Sequence, residues 1–254
     1  MAGSPSYTIF PLGDAAVTMD IGDGNGIDEQ YNIRAVALHD WLQANRFPGI
    51  LDIIVAYSSV SVLYDPALVQ REGAAAQGTV SSFVHRWLGQ AWQAVDGTGG
   101  FALRTDGRLI RLPVCYETAY APDMDWVSQR TSLSGEEVVA IHSAGVYRVY
   151  MIGFLPGFSY MGRLDRRLQL PRKKQPVNVI AGGVGIAGLQ TGIYPLNSPG
   201  GWHIIGRTPV KQFDPAMDPP VRFQTGDYVQ FYPVSAEEFA RIRASEIVSP
   251  FHNQ

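Results

Sequence analysis

Short β-like segments separated by glycine and proline clusters fill the C-terminal half of the chain, and they constrain its fold more than any other feature. They include VYRVYMIGF, GGVGIAG, TGIYPL, WHIIGRTPV and DYVQFYPV, and helical spacing of apolar residues disappears after residue 145. Short strands that alternate with turn residues are typical of β-barrels and β-sandwiches. This half therefore predicts a barrel or sandwich of about six to eight strands.

The N-terminal half predicts alternating strands and helices. In chain order we expect a strand at 15–21, a helix at 28–46, a hairpin of 50–58 and 60–65, a helix at 80–95 and a strand at 108–116. The helix at 80–95 is the clearest, because its apolar residues fall on one face and Thr79 can cap its first turn. The order β-α-β-β-α-β is that of a ferredoxin-like unit.

A helical insert is expected between the two halves. Asp123 can cap a short helix that runs through Arg130. Ser134 and Glu137 match the S-x-x-E capping box, which starts a second helix. His142 lies near the end of that helix.

Composition and charge exclude several classes of protein. The net charge is -3, which gives no indication of a nucleic-acid or anionic-membrane partner. Residues 1–8 lack the basic and apolar regions of a signal peptide, and no apolar run approaches the roughly 20 residues that span a bilayer. A single cysteine, Cys115, excludes an internal disulfide and a multi-cysteine zinc site. We therefore expect a soluble, cytoplasmic protein.

Gly183–Gly188 match the dinucleotide fingerprint G-x-G-x-x-G, but the following sequence contradicts that function. The fingerprint requires a helix that starts within it and binds the pyrophosphate at its N-terminus. Gly192, Pro195 and Pro199 instead forbid a helix there. These glycines are expected to let a strand bend or another group approach closely.

The histidines do not form a recognisable metal or nucleophile site. All five are far apart in the sequence, and no G-x-S-x-G nucleophile elbow is present. We therefore expect no metal in this chain. His142 is either a structural residue or, because it can take up a proton near neutral pH, a catalytic one.

Residues 147–208 carry the best candidates for a binding site. GFLPGFSYMG could supply apolar walls, and GLQTGIYPLNSPGGW could supply amides, hydroxyls and exposed backbone N–H groups. The alternative is that the glycines only serve tight turns between strands.

Two long motifs in this region, YRVYMIGFLPGFSYMGRLD and GIAGLQTGIYPLNSPGGWHIIGRTPV, closely resemble the family that contains the B subunit of 5-oxoprolinase, also named allophanate hydrolase subunit 1. The same family includes a sporulation-kinase inhibitor and part of the carboxyltransferase domain of urea carboxylase. PLGDAAV and FPGILDIIVAYSSVSVLYDP are similar to its N-terminal signatures. The resemblance covers nearly the whole chain.

This resemblance implies a small N-terminal α+β domain, which we place at residues 1–105, and a cyclophilin-like β-barrel domain at 106–254. It also implies a 5-oxoprolinase complex with a barrel-related C subunit and a separate A subunit, which opens 5-oxo-L-proline to L-glutamate with ATP. We find no nucleotide-binding loop motif in this sequence and expect ATP to be bound mainly with a partner chain.

The predicted site follows from the motifs and the resemblance together. His142, Gln190 and Thr191 are the candidate catalytic residues, and the last two, with the backbone of 198–201, would donate N–H groups to developing negative charge. The candidate substrate-binding residues are Tyr150, Phe154, Phe158, Tyr160, Tyr194, Ser198, Gly200, Gly201 and Trp202. We expect Phe158 and Gln190 to line a ligand face rather than the hydrophobic core.

The sequence departs from the family between its two motifs. Members commonly carry Pro-Arg twice and then V-P-A-G-S-V, whereas Val177 follows the second proline here, and Ile180 and Gly183 replace other residues. An arginine would be the natural bidentate partner of a carboxylate or phosphate. Arg172, Lys173 and Lys174 lie close by in the sequence, either as phosphate contacts or as a solvated loop.

Two other functions remain open at this point. One is a regulatory protein that binds and inhibits a sensor histidine kinase, with the aromatic residues as anchors of the interface. The other is a carboxyltransferase-type enzyme component that acts on urea or allophanate.

Overall fold

The computed structural model describes residues 7–24, 27–72, 78–96 and 107–248. The chain divides into two compact units, Met1–Asp106 and Gly107–Gln254. The predicted domain boundary after residue 105 lies outside the described residues. Within those residues, we find no helix with both the length and the apolar character that crossing a membrane requires.

In the part of the first unit that the structure describes, four antiparallel strands and three helices are present. Its ladders follow the order β1-β2-β4-β3. The elements are β1 (Thr8–Pro11), β2 (Ala16–Asp20), α1 (Glu29–Ala44), β3 (Ile50–Ala56), β4 (Ser59–Tyr64), α2 (Pro66–Arg71) and α3 (Val80–Asp96).

Local signals in the sequence explain the helices of this unit. The carboxylate of Asp28 accepts a hydrogen bond from Gln30 N and caps α1. The hydroxyl of Thr79 accepts one from Ser82 N at the start of α3. The apolar face of α3, including Trp87 and Trp92, is buried in the core, as the helical spacing predicts.

The second unit is dominated by antiparallel strands. Its ladders follow the order β5-β13-β6-β7-β10-β9-β12, of which only β5–β13 is parallel, and β8 pairs with β11 separately. The elements are β5 (Leu109–Val114), α4 (Met124–Thr131), α5 (Gly135–Ala144), β6 (Val146–Ile152), β7 (Ser159–Gly162), a 3-10 turn (Arg166–Leu168), β8 (Val177–Val179), β9 (Gly183–Ala187), β10 (Gln190–Ile193), β11 (Ser198–Gly200), β12 (His203–Arg207), β13 (Tyr228–Pro233) and α6 (Ala236–Val248).

The structure is therefore of the mixed α+β class. Two finer predictions, the ferredoxin-like N-terminal unit and the cyclophilin-like barrel, are not confirmed. The last strand of the expected ferredoxin-like unit, β5, pairs with β13 and belongs to the second unit. Strand ladders do not close the second sheet into a barrel. Between β12 and β5 the described residues contain one isolated bridge, in which Cys115 and Arg207 exchange two backbone hydrogen bonds.

The helical insert forms where the sequence predicts it, with one correction. Ser134 and Glu137 make both hydrogen bonds of the capping box at the start of α5. Asp123 precedes α4 but makes no side-chain cap bond. Its carboxylate instead accepts hydrogen bonds from Lys173 Nζ at 2.7 Å and from Ile204 N at 2.6 Å. The Asp123 carboxylate, which was expected to cap α4, therefore binds two segments of this unit that are distant in the sequence, at Lys173 and Ile204.

Candidate functional site

An aromatic cluster lies at the turn between β6 and β7. Phe158 is its centre and is only 1% exposed. The Phe158 ring packs edge-on against Phe154, Tyr160, Tyr194 and Trp202, with ring-centre distances between 4.7 and 5.6 Å. Edge-to-face packing at these distances is favourable because the positive edge of one ring meets the negative face of another. Phe158 is thus core, contrary to the expectation that it lines a ligand face.

Two glycines of the second motif make room for this cluster. A Cβ atom on Gly192 would lie 3.0 Å from the ring of Trp202 and 3.2 Å from that of Phe158. A Cβ atom on Gly185 would lie 3.0 Å from the Cβ of Trp202. Residues 183–187 of the G-x-G-x-x-G sequence form the strand β9, and Gly188 follows it. Close packing against Trp202 explains the central glycine, Gly185.

One side of the cluster remains accessible. Phe154 is 62% exposed and Tyr160 is half-buried. Gln190 is also half-buried. It lies on the same face of β10 as Gly192, because alternate residues of a strand point the same way. Gly192 in turn packs closely against Phe158 and Trp202. We call Phe154, Tyr160, Arg172, Gln190 and Trp202 the aromatic face.

Arg172 gives the aromatic face a positive charge. Its guanidinium carbon lies 5.9 Å from the ring centre of Trp202, within the range of a cation–π contact. Burial raises the pKa of the Tyr160 and Tyr194 hydroxyls, and the nearby Arg172 charge partly offsets that rise. Both phenols therefore stay protonated at neutral pH and can donate hydrogen bonds.

The segment that carries Arg172 is fixed on both sides. Lys173 N donates to Gly201 O at 2.7 Å, and Lys173 Nζ pairs with the Asp123 carboxylate. On the other side, His203 Nε2 donates to Pro171 O at 2.9 Å, since a carbonyl can only accept. These bonds hold Arg172 beside Trp202 before any ligand arrives.

His203 also connects this segment to an aromatic residue that sequence reasoning missed. Trp126 is 40% exposed and stacks on His203, with ring centres 4.1 Å apart. Trp126 was overlooked because its contact with His203 joins residues that are far apart in the sequence. No local pattern in the sequence indicated this contact.

His142 and Thr191 lie in a buried chain of hydrogen bonds. His142 Nε2 is 2.9 Å from Thr191 Oγ1, which donates its one proton to Gly185 O at 3.1 Å. His142 Nε2 must therefore donate to Thr191, and Nδ1 accepts from the Tyr116 hydroxyl at 2.8 Å. The ring is neutral, and burial lowers its pKa to about 3.

This geometry favours a structural role for the pair over the predicted catalytic one. Both side chains are fully buried, and the His142 ring also stacks on Phe231 at 4.8 Å. Through Thr191 the network joins α5 to β10, and Gln190 is the neighbouring residue on that strand. His142 and Thr191 thus hold the strand that presents Gln190.

The remaining predicted residues lie around the cluster. Tyr194, Tyr150 and Trp202 are buried. Ser198 and Gly200 pair with β8 as part of β11, and Gly201 O accepts the hydrogen bond from Lys173 N. These pairings place the predicted backbone donors in a ribbon beside the aromatic face.

The described part of the chain contains no group of three or more histidine, cysteine, aspartate or glutamate residues that could hold a metal ion. A cleft of about 1230 Å³ also lies in the second unit, beside β5, β13 and α6. None of the predicted site residues lines it.

Comparisons with known proteins converge on one family. The family model described as carboxyltransferase domain, subdomain C and D, matches residues 7–223. The B subunit of the Bacillus subtilis 5-oxoprolinase is 38% identical over 92% of this chain and 95% of its own length.

Two further relatives are longer chains, and this chain matches only a part of each. The crystal structure of TTHA0988 is 34% identical and has a TM-score of 0.71; the match covers 87% of this chain, which spans only 40% of that one. Urea amidolyase of Lachancea kluyveri is 25% identical over 94% of this chain but over only 14% of its own length.

Proposed function

We propose that this chain, which belongs to the family described as carboxyltransferase domain, subdomain C and D, is the B subunit of a 5-oxoprolinase. The observation that carries this function is the 38% identity to the Bacillus subtilis B subunit over nearly the full length of both chains. The substrate is then 5-oxo-L-proline, a small lactam with one carboxylate, and the product is L-glutamate.

The aromatic face supports binding of such a substrate. Arg172 would pair with the carboxylate, and its planar guanidinium can do so with two hydrogen bonds. The amide of Gln190 can donate to the lactam oxygen, where negative charge grows during ring opening. Tyr160 would pack against the lactam ring, with the buried Trp202 behind it, and Phe154 would cover the open side.

The proposal includes a complex and a nucleotide. We propose that the chain is active only with partners that resemble the C and A subunits of 5-oxoprolinase, and that ATP activates the lactam oxygen in that complex. The exposed side chain of Phe154, at the accessible side of the aromatic cluster, would be one contact for such a partner.

Two finer structural predictions belong to the same proposal. A cyclophilin-like topology of the second unit is supported by the bridge between Cys115 and Arg207, which brings the two end strands together at one point. A cytoplasmic location fits the composition of the chain.

A carboxyltransferase-type role on urea or allophanate is the second candidate. It is favoured by the match to urea amidolyase, but that match covers only 14% of the longer enzyme. A kinase-inhibitor role remains a prediction.

Complementation tests the proposed function. A Bacillus subtilis strain that lacks its own 5-oxoprolinase B subunit should regain growth on 5-oxoproline as nitrogen source when it expresses this chain. An expressed, soluble chain that gives no growth, while the native protein does, would contradict the proposal.

A further inference from the structure

Strand β5 has one open edge. It pairs with β13 along its full length, from Leu109 with Tyr228 to Val114 with Pro233. On its other side the described residues provide only the bridge at Cys115, one residue beyond the strand. An open strand edge is a template for another extended chain.

Hydrogen bonds at the two ends of β5 identify the backbone groups on that open edge. Tyr228 N donates to Arg108 O, and Val234 N donates to Val114 O. In a parallel ladder alternate residues face the partner strand, so even-numbered residues of β5 face β13. Leu109, Arg111 and Pro113 therefore direct their backbone groups to the open edge, as does Cys115, which makes the bridge.

The cleft of about 1230 Å³ borders β5. Residues 109–113 of β5 line it together with residues 230–233 of β13 and residues of α6, so the strand with the open edge also forms part of the cleft wall. Its volume exceeds the roughly 300–1,000 Å³ of typical small-molecule pockets. The space is large enough for a segment of peptide.

The cleft is positively charged although the chain as a whole carries a net charge of -3. Its charged lining residues are the three arginines Arg111, Arg222 and Arg241 and the single glutamate Glu238. Arg241 pairs with Glu238 at 3.3 Å. The side chain of Arg111 has no ionic or hydrogen-bonded partner among the described residues, so its charge is available to a ligand.

Arg111 and Pro113 also restrict which strand can add. A charged side chain and a proline on an edge are devices that prevent pairing with neutral or identical strands. The positive charge of Arg111 that disfavours pairing with neutral or identical strands would attract a strand with acidic side chains. Pro113 has no N–H, so it contributes only its carbonyl to the open edge.

We propose that an extended acidic peptide segment of a partner protein adds to the open edge of β5 and lies in this cleft. Its backbone would pair with Leu109, Arg111 and the Pro113 carbonyl, and its carboxylates would meet Arg111 and Arg222. This site is separate from the aromatic face and does not depend on the 5-oxoprolinase function.

Fluorescence anisotropy tests the proposal with a labelled hexapeptide that alternates valine and glutamate. The peptide should bind the full chain saturably. Arg111→Gln should weaken binding at least about tenfold, the loss expected for one hydrogen bond to a charged group. Arg71→Gln, at an exposed arginine of α2, is the matched control and should bind like wild type.

A gain-of-binding variant separates strand addition from simple charge attraction. Pro113→Val restores an N–H on the open edge and should strengthen peptide binding about two- to tenfold, the value of one neutral hydrogen bond. A peptide with prolines at alternate positions and the same charge should bind much more weakly. Equal binding of the two peptides, no gain with Pro113→Val, or displacement of the peptide by pyrophosphate at equal concentration would overturn the proposal.

Discussion

Replacing Phe158 with alanine should destabilise the second unit strongly. The side chain is 1% exposed and is the centre of four aromatic contacts. Truncation of a buried phenylalanine to alanine costs about 3–5 kcal/mol of unfolding free energy, because packing is lost and a cavity remains. Three of the aromatic partners are buried or half-buried, and each edge-to-face pair adds about 0.5–1.5 kcal/mol beyond its buried area. The loss for Phe158→Ala should therefore lie toward the upper end of that range of unfolding free energy.

Differential scanning calorimetry of Phe158→Ala and wild type measures this effect. For a chain of this size 1 kcal/mol corresponds to roughly 2–4 °C, so the transition of the second unit should fall by roughly 6–20 °C. Phe154→Ala is the matched control, because the same residue type in the same cluster is 62% exposed there. Its transition should move by only a few degrees.

A small shift for Phe158→Ala would refute this reasoning. If Phe158→Ala and Phe154→Ala both melt within a few degrees of wild type, Phe158 does not support the core. The aromatic cluster would then be a ligand surface, as the sequence alone suggests.

Three further predictions concern the site and its support. Gln190→Ala should keep the wild-type melting temperature within a few degrees but lower the activity of the reconstituted complex at least about tenfold, if Gln190 donates to the reacting oxygen; unchanged activity would remove it from the site. Arg172→Gln should raise KM for 5-oxoproline more than it lowers kcat, and an unchanged KM would show that Arg172 does not hold the carboxylate. Burial holds the pKa of His142 at about 3, so below about pH 6.5 the unfolded chain binds a proton there that the folded chain does not. Urea unfolding should therefore show stability falling by up to about 1.4 kcal/mol per pH unit between pH 6 and pH 4, with a smaller slope in His142→Gln; equal slopes would contradict a buried neutral ring.

Local patterns in the sequence predicted much of the secondary structure. The helix at 80–95, the hairpin at 50–65 and the capping box at Ser134 all form, because each depends on residues within a few positions of one another. The expectation that β5 completes a ferredoxin-like unit is not confirmed, for the opposite reason. Its partner β13 lies more than 100 residues away, and no local pattern identifies that pairing.

The candidate site was predicted in composition but not in arrangement. Aromatic residues and glycines at 153–162 and 183–202 suggested a lined pocket, and the structure packs most of these rings against each other instead. Burial of Phe158 and His142 depends on which strands become neighbours, so periodicity could not reveal it. Arg172 was noticed as a nearby charge, and only the bonds of Lys173 and His203 explain why it lies beside Trp202.

Reconstitution of the complex is the most direct test of the account. The purified chain, mixed with ATP and with partners that resemble the A and C subunits of 5-oxoprolinase, should convert 5-oxo-L-proline to L-glutamate, which is measured by enzymatic detection of glutamate. Omitting this chain should abolish the conversion. The central claim would be contradicted if the partners formed glutamate at the same rate without this chain, or if the complete folded complex formed none while the Bacillus subtilis B subunit in its place restored activity.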